Sequence, residues 1–306
     1  MSSIERTDAQ HGIRVTAEAL HAVAEQLSDA TARRLPPMFS PATGGRRSKS
    51  VGRGMEYEQS RNYVAGDDIR AMDWRLMART GEPHTRQYAQ ERARQTVLAI
   101  DLSASMFFGS RYSLKSWTAC QVAAHVGWRV LQAGDQPGWM VACGERCRYS
   151  APAPRREGLR ELFSWLVEDG NSTLSASTNS QLNAMLHELV FRQRTAANIV
   201  LITDFIGLDE QSVSHLQALA ARHHLAGIWV HDITEILPWQ PGAYPVRRDN
   251  HIGTLDTRRR KTADWLSLRQ QDHRQRIESL CDQFELTLFE VSCNRDAHTQ
   301  LRDHWS

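Results

Sequence analysis

The residues with the clearest capacity for chemistry lie in the stretch Asp101-Leu102-Ser103-Ala104-Ser105. They follow the uncharged run 96–100, which is typical of a strand buried on both faces of a parallel sheet. In open α/β sheets, ligands bind at the carboxyl ends of the strands. Mg²⁺ prefers oxygen ligands and keeps several waters, so one carboxylate and two hydroxyls are a sufficient partial set. The stretch therefore predicts a divalent-metal site.

A second strand-like run, residues 199–203, ends at another acid, Asp204. Because parallel strands end at the same edge of a sheet, Asp101 and Asp204 are expected to flank one ion. A loop of mostly Ser, Thr and Asn, residues 171–180, lies between the two runs. Asp and Ser are also ordinary turn and cap residues after strands. The order of two strand-end acids and a hydroxyl-rich loop favours the metal site over that alternative.

These residues resemble the metal-ion-dependent adhesion site of von Willebrand factor A-like domains, which is D-x-S-x-S, a distant Thr and a more distant Asp. The resemblance implies that Mg²⁺ or Mn²⁺ is bound directly by Ser103 and Ser105. It implies that Asp204 does not bind the ion directly, but binds it through a water molecule or supports the direct ligands. The acids within residues 232–235 follow another predicted strand, and the resemblance assigns them to packing or capping.

The middle hydroxyl of this pattern stays open in the sequence. The spacing to the helix predicted over residues 181–191 favours Ser180 or Thr178 over Thr173 as the ligand. If Ser180 is the ligand, the Thr of the pattern is replaced by the other hydroxyl residue.

A second dense stretch precedes the first strand, over residues 61–80. Arginines alternate there with acids and two aromatic residues, and the members are Arg61, Tyr63, Asp67, Asp68, Arg70, Asp73, Trp74 and Arg79. A guanidinium can bind a carboxylate through two parallel hydrogen bonds. Trp74 offers an apolar face that could lock the segment onto the sheet. This pattern favours a structural, ion-paired clasp over a direct catalytic or binding role, although a clasp beside the metal edge could shape what docks there.

Together with the following strand, this stretch resembles the MoxR-associated von Willebrand A-like family, long described as a domain of unknown function. The family pattern R-x-Y-x-x-G-D-D-x-R-x-x-D-W-x-x-x-A-R is matched at every fixed position from Arg61 to Arg79. The resemblance covers residues 50–210 closely. It implies a functional pairing with a MoxR-type AAA+ ATPase, in chaperone-like assembly or maturation of client proteins.

Strands alternate with helices along the chain, which predicts an α/β fold with a doubly wound, mostly parallel sheet flanked by helices. We predict an amphipathic helix and a basic flexible arm over residues 1–55, and the Arg/Asp/Trp segment packing on the core over 56–94. The von Willebrand A-like domain is predicted over 95–306, with an irregular hairpin inserted near 240–260. The apolar helix over 114–131, interrupted by Lys115, His125 and Arg129, is expected to lie in the core.

Composition narrows the function classes. A hydrophobic content of 41% and a charged content of 24% are ordinary for globular proteins. The net charge of +2 gives no general argument for nucleic acid or a membrane surface. Five scattered cysteines form no disulfide framework and suit a reducing, cytoplasmic compartment. No apolar run is long enough to span a bilayer.

The leading hypothesis is a non-enzymatic binding module, whose metal accepts a carboxylate from a partner protein. The alternative is a Mg²⁺- or Mn²⁺-dependent hydrolase at the same site. Against that alternative, the sequence has no Walker-type phosphate loop and no histidine beside either acid motif. No catalytic residue is therefore assigned. Nucleic-acid binding through the basic clusters at 46–53 and 258–261 is the least favoured hypothesis.

Overall fold

The computed structural model describes residues 12–26, 55–64, 72–90, 94–153, 158–172, 181–248 and 251–305. The chain divides into two compact units, one of residues 41–93 and one that combines residues 1–40 with 94–306. Across the described ranges, every helix is too short or too polar to span a lipid bilayer.

The described strands, in chain order, are β1 (Met55–Asn62), β2 (His84–Gln90), β3 (Gln95–Asp101), β4 (Gln136–Cys143), β5 (Arg146–Ser150), β6 (Asn198–Thr203), β7 (His224–His231), β8 (Ala243–Arg248), β9 (His251–Asp256) and β10 (Thr287–Ser292). The described α-helices are α1 (Ala17–Gln26), α2 (Trp74–Thr80), α3 (Lys115–Gln132), α4 (Gly158–Gly170), α5 (Gln181–Arg192), α6 (Glu210–Ala220), α7 (Ile233–Ile236), α8 (Arg260–Phe284) and α9 (Ala297–Trp305). A short 3-10 helix, Ala104–Phe107, follows β3.

The larger unit is built on a six-stranded sheet in the order β10-β7-β6-β3-β4-β5. All neighbouring strands are parallel except β5, which is antiparallel to β4. The predicted doubly wound, mostly parallel sheet is confirmed. Its central strand is β3, whose residues 97–100 have no exposed surface. Such complete burial explains why this run contains no charge.

Helices cover both faces of this sheet. Leu98 and Ile100 of β3 point into a core that also contains buried side chains of α1, α3, α4 and α9. Val97 and Ala99 point to the opposite side, where the core is closed by α5, α6 and α8. The alternation of β3 side chains between two cores follows from the two-residue period of a strand.

Helix α3 is the core helix predicted from the sequence. It is buried almost throughout, and the three polar residues that interrupt its apolar pattern, Lys115, His125 and Arg129, are buried as well. Buried charges in a core must be paired or bonded to other groups. Lys115 is the first residue of the helix, which places its charge at the carboxyl edge of the sheet.

The hairpin predicted near 240–260 is present as β8 and β9, but the prediction that it is irregular was wrong. The two strands form an unbroken antiparallel register from the pair Ala243 and Asp256 to the pair Arg248 and His251. Pro245 lies within β8 opposite Thr254. A two-stranded sheet leaves one edge of each strand unpaired, so a residue without an N–H is tolerated there.

The smaller unit contains β1, β2 and α2. The two strands are antiparallel and have a bulge between Tyr57 and Gln59. Helix α2 begins at an Asp73 cap, whose Oδ1 accepts a hydrogen bond from the Leu76 N–H at 3.2 Å. The helix ends at Gly81, whose φ of 79° is readily adopted only by glycine.

Helix α1 belongs to the core of the larger unit, because Val15, Leu20 and Val23 are buried in the same cluster as α3 and α4. We expect Leu20→Ala to lower the free energy of unfolding by about 2–5 kcal/mol, since it leaves a cavity in a packed core. Urea denaturation measures this change. The control is Ile13→Ala, which removes an exposed side chain and should cost no more than about 0.5 kcal/mol. Equal effects of the two substitutions would contradict a core role for α1.

Candidate metal site

The two predicted acids meet at the carboxyl edge of the sheet. Strands β3 and β6 are adjacent and parallel, with Ile100 opposite Ile202. Asp101 is the last residue of β3, and Asp204 directly follows the last residue of β6, Thr203. The Thr203 hydroxyl donates a hydrogen bond to Asp101 Oδ2 at 2.7 Å. The register of two buried strands therefore fixes the position of the Asp101 carboxylate.

The serines after β3 lie at the same edge. The Ser103 N–H donates to Asp101 Oδ1 at 2.8 Å. The hydroxyl oxygens of Ser103 and Ser105 are 3.1 Å apart, within hydrogen-bonding distance. The alternate spacing in the sequence thus brings one carboxylate and two hydroxyls together, as predicted.

The turn that carries Asp204 is held in an uncommon conformation. Phe205 has a φ of 56°, in the left-handed region that non-glycine residues rarely occupy. Its N–H donates to the Thr203 hydroxyl at 3.1 Å, and its ring is buried in the core. Packing of the ring therefore fixes the turn around Asp204.

The most unexpected feature of this edge is a buried lysine. Lys115 Nζ lies 2.8 Å from Asp204 Oδ2 and 2.6 Å from Glu235 Oε1, and its side chain has no exposed surface. The other oxygen of Asp204, Oδ1, accepts the Ile206 N–H at 2.9 Å. Both oxygens of Asp204 therefore have partners, whereas those of Asp101 receive hydrogen bonds but no ion pair from a cationic side chain in the described structure.

Glu235 has a second role. Its Oε2 accepts the Asp232 N–H at 2.8 Å, while Asp232 Oδ1 accepts the Thr234 N–H at 2.8 Å. These bonds form a capping box at the start of α7. The capping role assigned to these acids is thus present, but Glu235 also contributes to the charge cluster beside Asp204.

The two aspartates differ in their pKa values. Burial raises the pKa of Asp101 to about 6, and the nearby Asp204 charge adds to the rise, against hydrogen bonds from Thr203 and Ser103. Burial alone would also raise the pKa of Asp204, but the Lys115 ammonium outweighs that effect and lowers it. For Lys115, burial alone would lower the pKa, yet the charges of Asp204 and Glu235 raise it. The cluster therefore stabilises Asp204 as an anion and leaves Asp101 poorly compensated.

The donor set and the charge balance fit a hard divalent cation. Asp204 and Glu235 share the ammonium of Lys115, and Asp101 lies beside Asp204 without a cationic partner in the described ranges, so the three acids carry two more negative charges than this cation compensates. Asp101, Ser103 and Ser105 offer oxygen atoms only, as Mg²⁺ and Mn²⁺ require. Among the described residues, no three His, Cys, Asp or Glu side chains come close enough to hold a metal by themselves. The serine hydroxyls would therefore have to complete the site.

The middle hydroxyl cannot be assigned from the described ranges. Ser180, Thr178 and Thr173 all lie outside the residues that the structure describes. The choice among them stays a prediction.

The Arg/Asp/Trp segment is described only in part. Asp67, Asp68 and Arg70, and the side chain of Arg61, lie outside the described structure. Tyr63 is half-buried, and its N–H donates to the Pro83 carbonyl at 2.9 Å.

The remaining residues of that segment lie at helix α2. Asp73 is the buried N-terminal cap of the helix. Arg79 is exposed in the last turn, where its positive charge interacts favourably with the helix dipole. Trp74 is 58% exposed. The apolar packing role predicted for its ring is therefore not seen within this unit.

Three residues of the edge were not predicted. Of the three, Thr203 is the one that the sequence indicates best, because it is a hydroxyl residue at the end of a buried strand, directly before Asp204. In the sequence, Lys115 is recognisable only as a polar residue that interrupts the pattern of an apolar helix. His273, whose Nε2 lies 2.9 Å from the Asp204 carbonyl oxygen, belongs to the largely polar helix α8 and has no local signal.

We expect Lys115→Met to lower the free energy of unfolding by about 3–5 kcal/mol, because it leaves the Asp204 and Glu235 carboxylates without their cation. Chemical denaturation without added metal measures this loss. The control Lys261→Met removes an exposed lysine and should change stability by less than about 0.5 kcal/mol. A loss no larger than that of the control would contradict the importance of the buried ion pairs.

The chain was compared with protein families and with curated relatives. The family model "Protein of unknown function DUF58" matches residues 59–275. Uncharacterized protein Rv1480 of Mycobacterium tuberculosis and uncharacterized protein Mb1516 of Mycobacterium bovis are each 32% identical over 186 residues. The alignment covers 60% of this chain and 57% of each relative, so the chain spans little more than half the length of these relatives.

Solved structures were compared as well. The conserved hypothetical protein BatB from Bacteroides thetaiotaomicron aligns at 13% identity with a TM-score of 0.43, over 69% of this chain and 95% of that one. A von Willebrand factor type A structure from Catenulispora acidiphila aligns at 15% identity with a TM-score of 0.37, over 72% of this chain and 42% of that one. The family match is the stronger finding, since it covers well over half of the sequence. The chain therefore belongs to the DUF58 family of proteins of unknown function.

Proposed function

We propose that this chain is a von Willebrand A-like binding module, in which a divalent cation at the carboxyl edge captures a carboxylate of a partner protein. The observation that carries this proposal is a set of exposed apolar side chains around the charge cluster. Phe108, Ile206 and Leu237, which we term the apolar rim, are between 40% and 51% exposed. They come from the three loops that follow β3, β6 and β7.

Phe108 and Ile206 contact the cluster, and Leu237 is next to it in the chain. The Phe108 ring centroid is 5.9 Å from Lys115 Nζ, and Ile206 donates its N–H to Asp204. Leu237 follows α7, the helix that carries Glu235. Exposed apolar groups rimming a polar centre are typical of protein-binding surfaces.

Helix α8 extends this surface. The Gln270 side chain donates to the carbonyl oxygens of Thr234 and Leu237, at 2.7 and 2.9 Å, so the first half of α8 lies beside α7. Trp265 and Leu268, one helical turn apart on that half, are both more than half exposed. Exposed Trp residues are frequent anchors in protein interfaces.

The roles of the residues follow from this arrangement. Asp101, Ser103 and Ser105 would hold the cation, and a bound divalent ion would supply a Lewis-acid position for one more oxygen ligand. Lys115 holds Asp204 as an anion behind them. A partner carboxylate flanked by apolar side chains would match both the ion and the apolar rim.

The identity of the partner is a proposal drawn from the family resemblance. The motif from Arg61 to Arg79 resembles that of MoxR-associated proteins, which suggests a MoxR-type AAA+ ATPase as the functional partner and a client protein as the captured ligand. The module would then act in assembly or maturation of that client.

The hydrolase alternative requires a general base that can activate water beside the ion. His273 lies next to this edge, and its Nε2 is hydrogen-bonded to the main-chain carbonyl oxygen of Asp204. His231, the last residue of β7, is buried at the same edge. Because a carbonyl oxygen only accepts, the bonded nitrogen of His273 must carry a proton and donate. The Nε2 of His273 therefore cannot serve as that base.

Titration of Mg²⁺ by calorimetry tests the metal site. We expect saturable binding to the wild type and loss of binding in Asp101→Ala, because the substitution removes the only carboxylate that would bind the ion directly. The matched control is Asp264→Ala, which removes an exposed acid of α8 and should bind Mg²⁺ like the wild type. Equal binding by the wild type and Asp101→Ala would overturn the assignment.

Partner capture tests the apolar rim separately from the metal. With a purified MoxR-type ATPase from the same genome as the probe, Ile206→Ser/Leu237→Ser should weaken capture at least about tenfold and leave Mg²⁺ binding unchanged. The control Ile252→Ser changes an exposed apolar side chain of the β8–β9 hairpin. Capture that is unaffected by the double substitution, or equally weakened by the control, would contradict the proposed surface.

A further inference from the structure

A second surface with chemical character lies between α5 and α6. The rings of His187 and His215 meet there edge to face, with centroids 5.5 Å apart. Beside them is a cavity of about 320 Å³. We term it the helix groove, and its lining residues are His187, Val190, Phe191, Arg194, His215 and Arg222.

The helix groove lies away from the candidate metal site. Helix α5 ends at Arg192 and is followed by β6, which starts at Asn198. Helix α6 ends at Ala220 and is followed by β7, which starts at His224. Both helices therefore end at the amino edge of the sheet, whereas Asp101 and Asp204 lie at the carboxyl edge. The groove is a separate site.

The groove carries two cationic groups that have no anionic partner in the part of the chain that the structure describes. Arg194 and Arg222 are exposed, and neither forms an ion pair with any residue in the described ranges. The neighbouring Arg192 differs, because it pairs with Glu188 one helical turn away. Arg194 Nε is 3.4 Å from the Phe191 carbonyl oxygen, and among the described residues its terminal nitrogens bond to no other group, so they can meet a ligand.

An apolar surface adjoins these cations. Phe191 is 63% exposed, and the Arg194 guanidinium lies 5.5 Å from its ring centroid. Val190 adds a half-buried aliphatic side chain. Guanidinium groups bind carboxylates through two parallel hydrogen bonds, and an exposed phenylalanine favours an apolar group of the ligand.

We propose that the helix groove binds an acidic segment of a partner protein, in which carboxylates alternate with apolar side chains. The carboxylates pair with Arg194 and Arg222, and an apolar side chain packs on Phe191. A peptide suits the site better than a small anion, because four of the six lining residues are exposed and the groove is open. Small-molecule sites enclose most of the surface of their ligand.

The test uses fluorescence anisotropy with the full chain and a labelled hexapeptide of alternating glutamate and phenylalanine. We expect saturable binding that weakens with added NaCl and is weakened at least about tenfold in Arg194→Gln/Arg222→Gln. Phe191→Ser should weaken it as well. The control Arg192→Gln, on the same helix but outside the groove, should stay within about twofold of the wild type.

Several results would overturn the proposal. One is equal binding of a peptide in which glutamine replaces glutamate, and another is unchanged binding by the double arginine variant. Displacement of the peptide by inorganic phosphate or AMP at lower concentration would assign the groove to a small anion instead. Asp101→Ala should bind the peptide like the wild type, so this test is independent of the metal site.

Discussion

The carboxyl edge of the sheet depends on one interaction, the burial of the Lys115 ammonium between Asp204 and Glu235. An unpaired buried charge costs several kcal/mol, so each of the three groups needs the others in place. Lys115 begins the helix after β3, Asp204 follows β6, and Glu235 follows β7. The ion pairs therefore tie together three connections that are far apart in the sequence. The main-chain N–H of Lys115 also donates to the Phe108 carbonyl, which fixes the loop after Asp101.

This arrangement separates the roles of two acids that look equivalent in the sequence. Asp204 accepts hydrogen bonds from the Lys115 ammonium and from the Ile206 N–H, and it lies on a buried turn. The protein itself therefore fully compensates the charge of this carboxylate. Asp101 lies beside that charge with hydrogen bonds alone, and its pKa is raised accordingly. Asp101 is therefore the acid on which the proposed cation site depends.

The sequence predicts the sheet and its acids well because their signals are local. The runs 96–100 and 199–203 contain no charge, and the next residue after each is an aspartate. Lys115 could not be predicted in the same way, because its partners are 89 and 120 residues away and a charge at the start of an apolar helix looks like an interruption. The size of Trp74 does not by itself indicate whether its ring is buried, and that ring is 58% exposed. The helix groove has no contiguous motif, because its residues come from two helices and from the turns that follow them.

The position of β3 also has a consequence for how the chain acquires its structure during synthesis. Its neighbour β4 pairs with it after about 41 residues, but the pairing that joins Asp101 to Thr203 spans 102 residues. Until β6 has been made, one edge of this largely apolar strand has no partner, and such edges promote association between incomplete chains. Parallel pairing over long separations is also slow. The centre of the sheet is therefore incomplete until β6 has been synthesised, well past the middle of the chain.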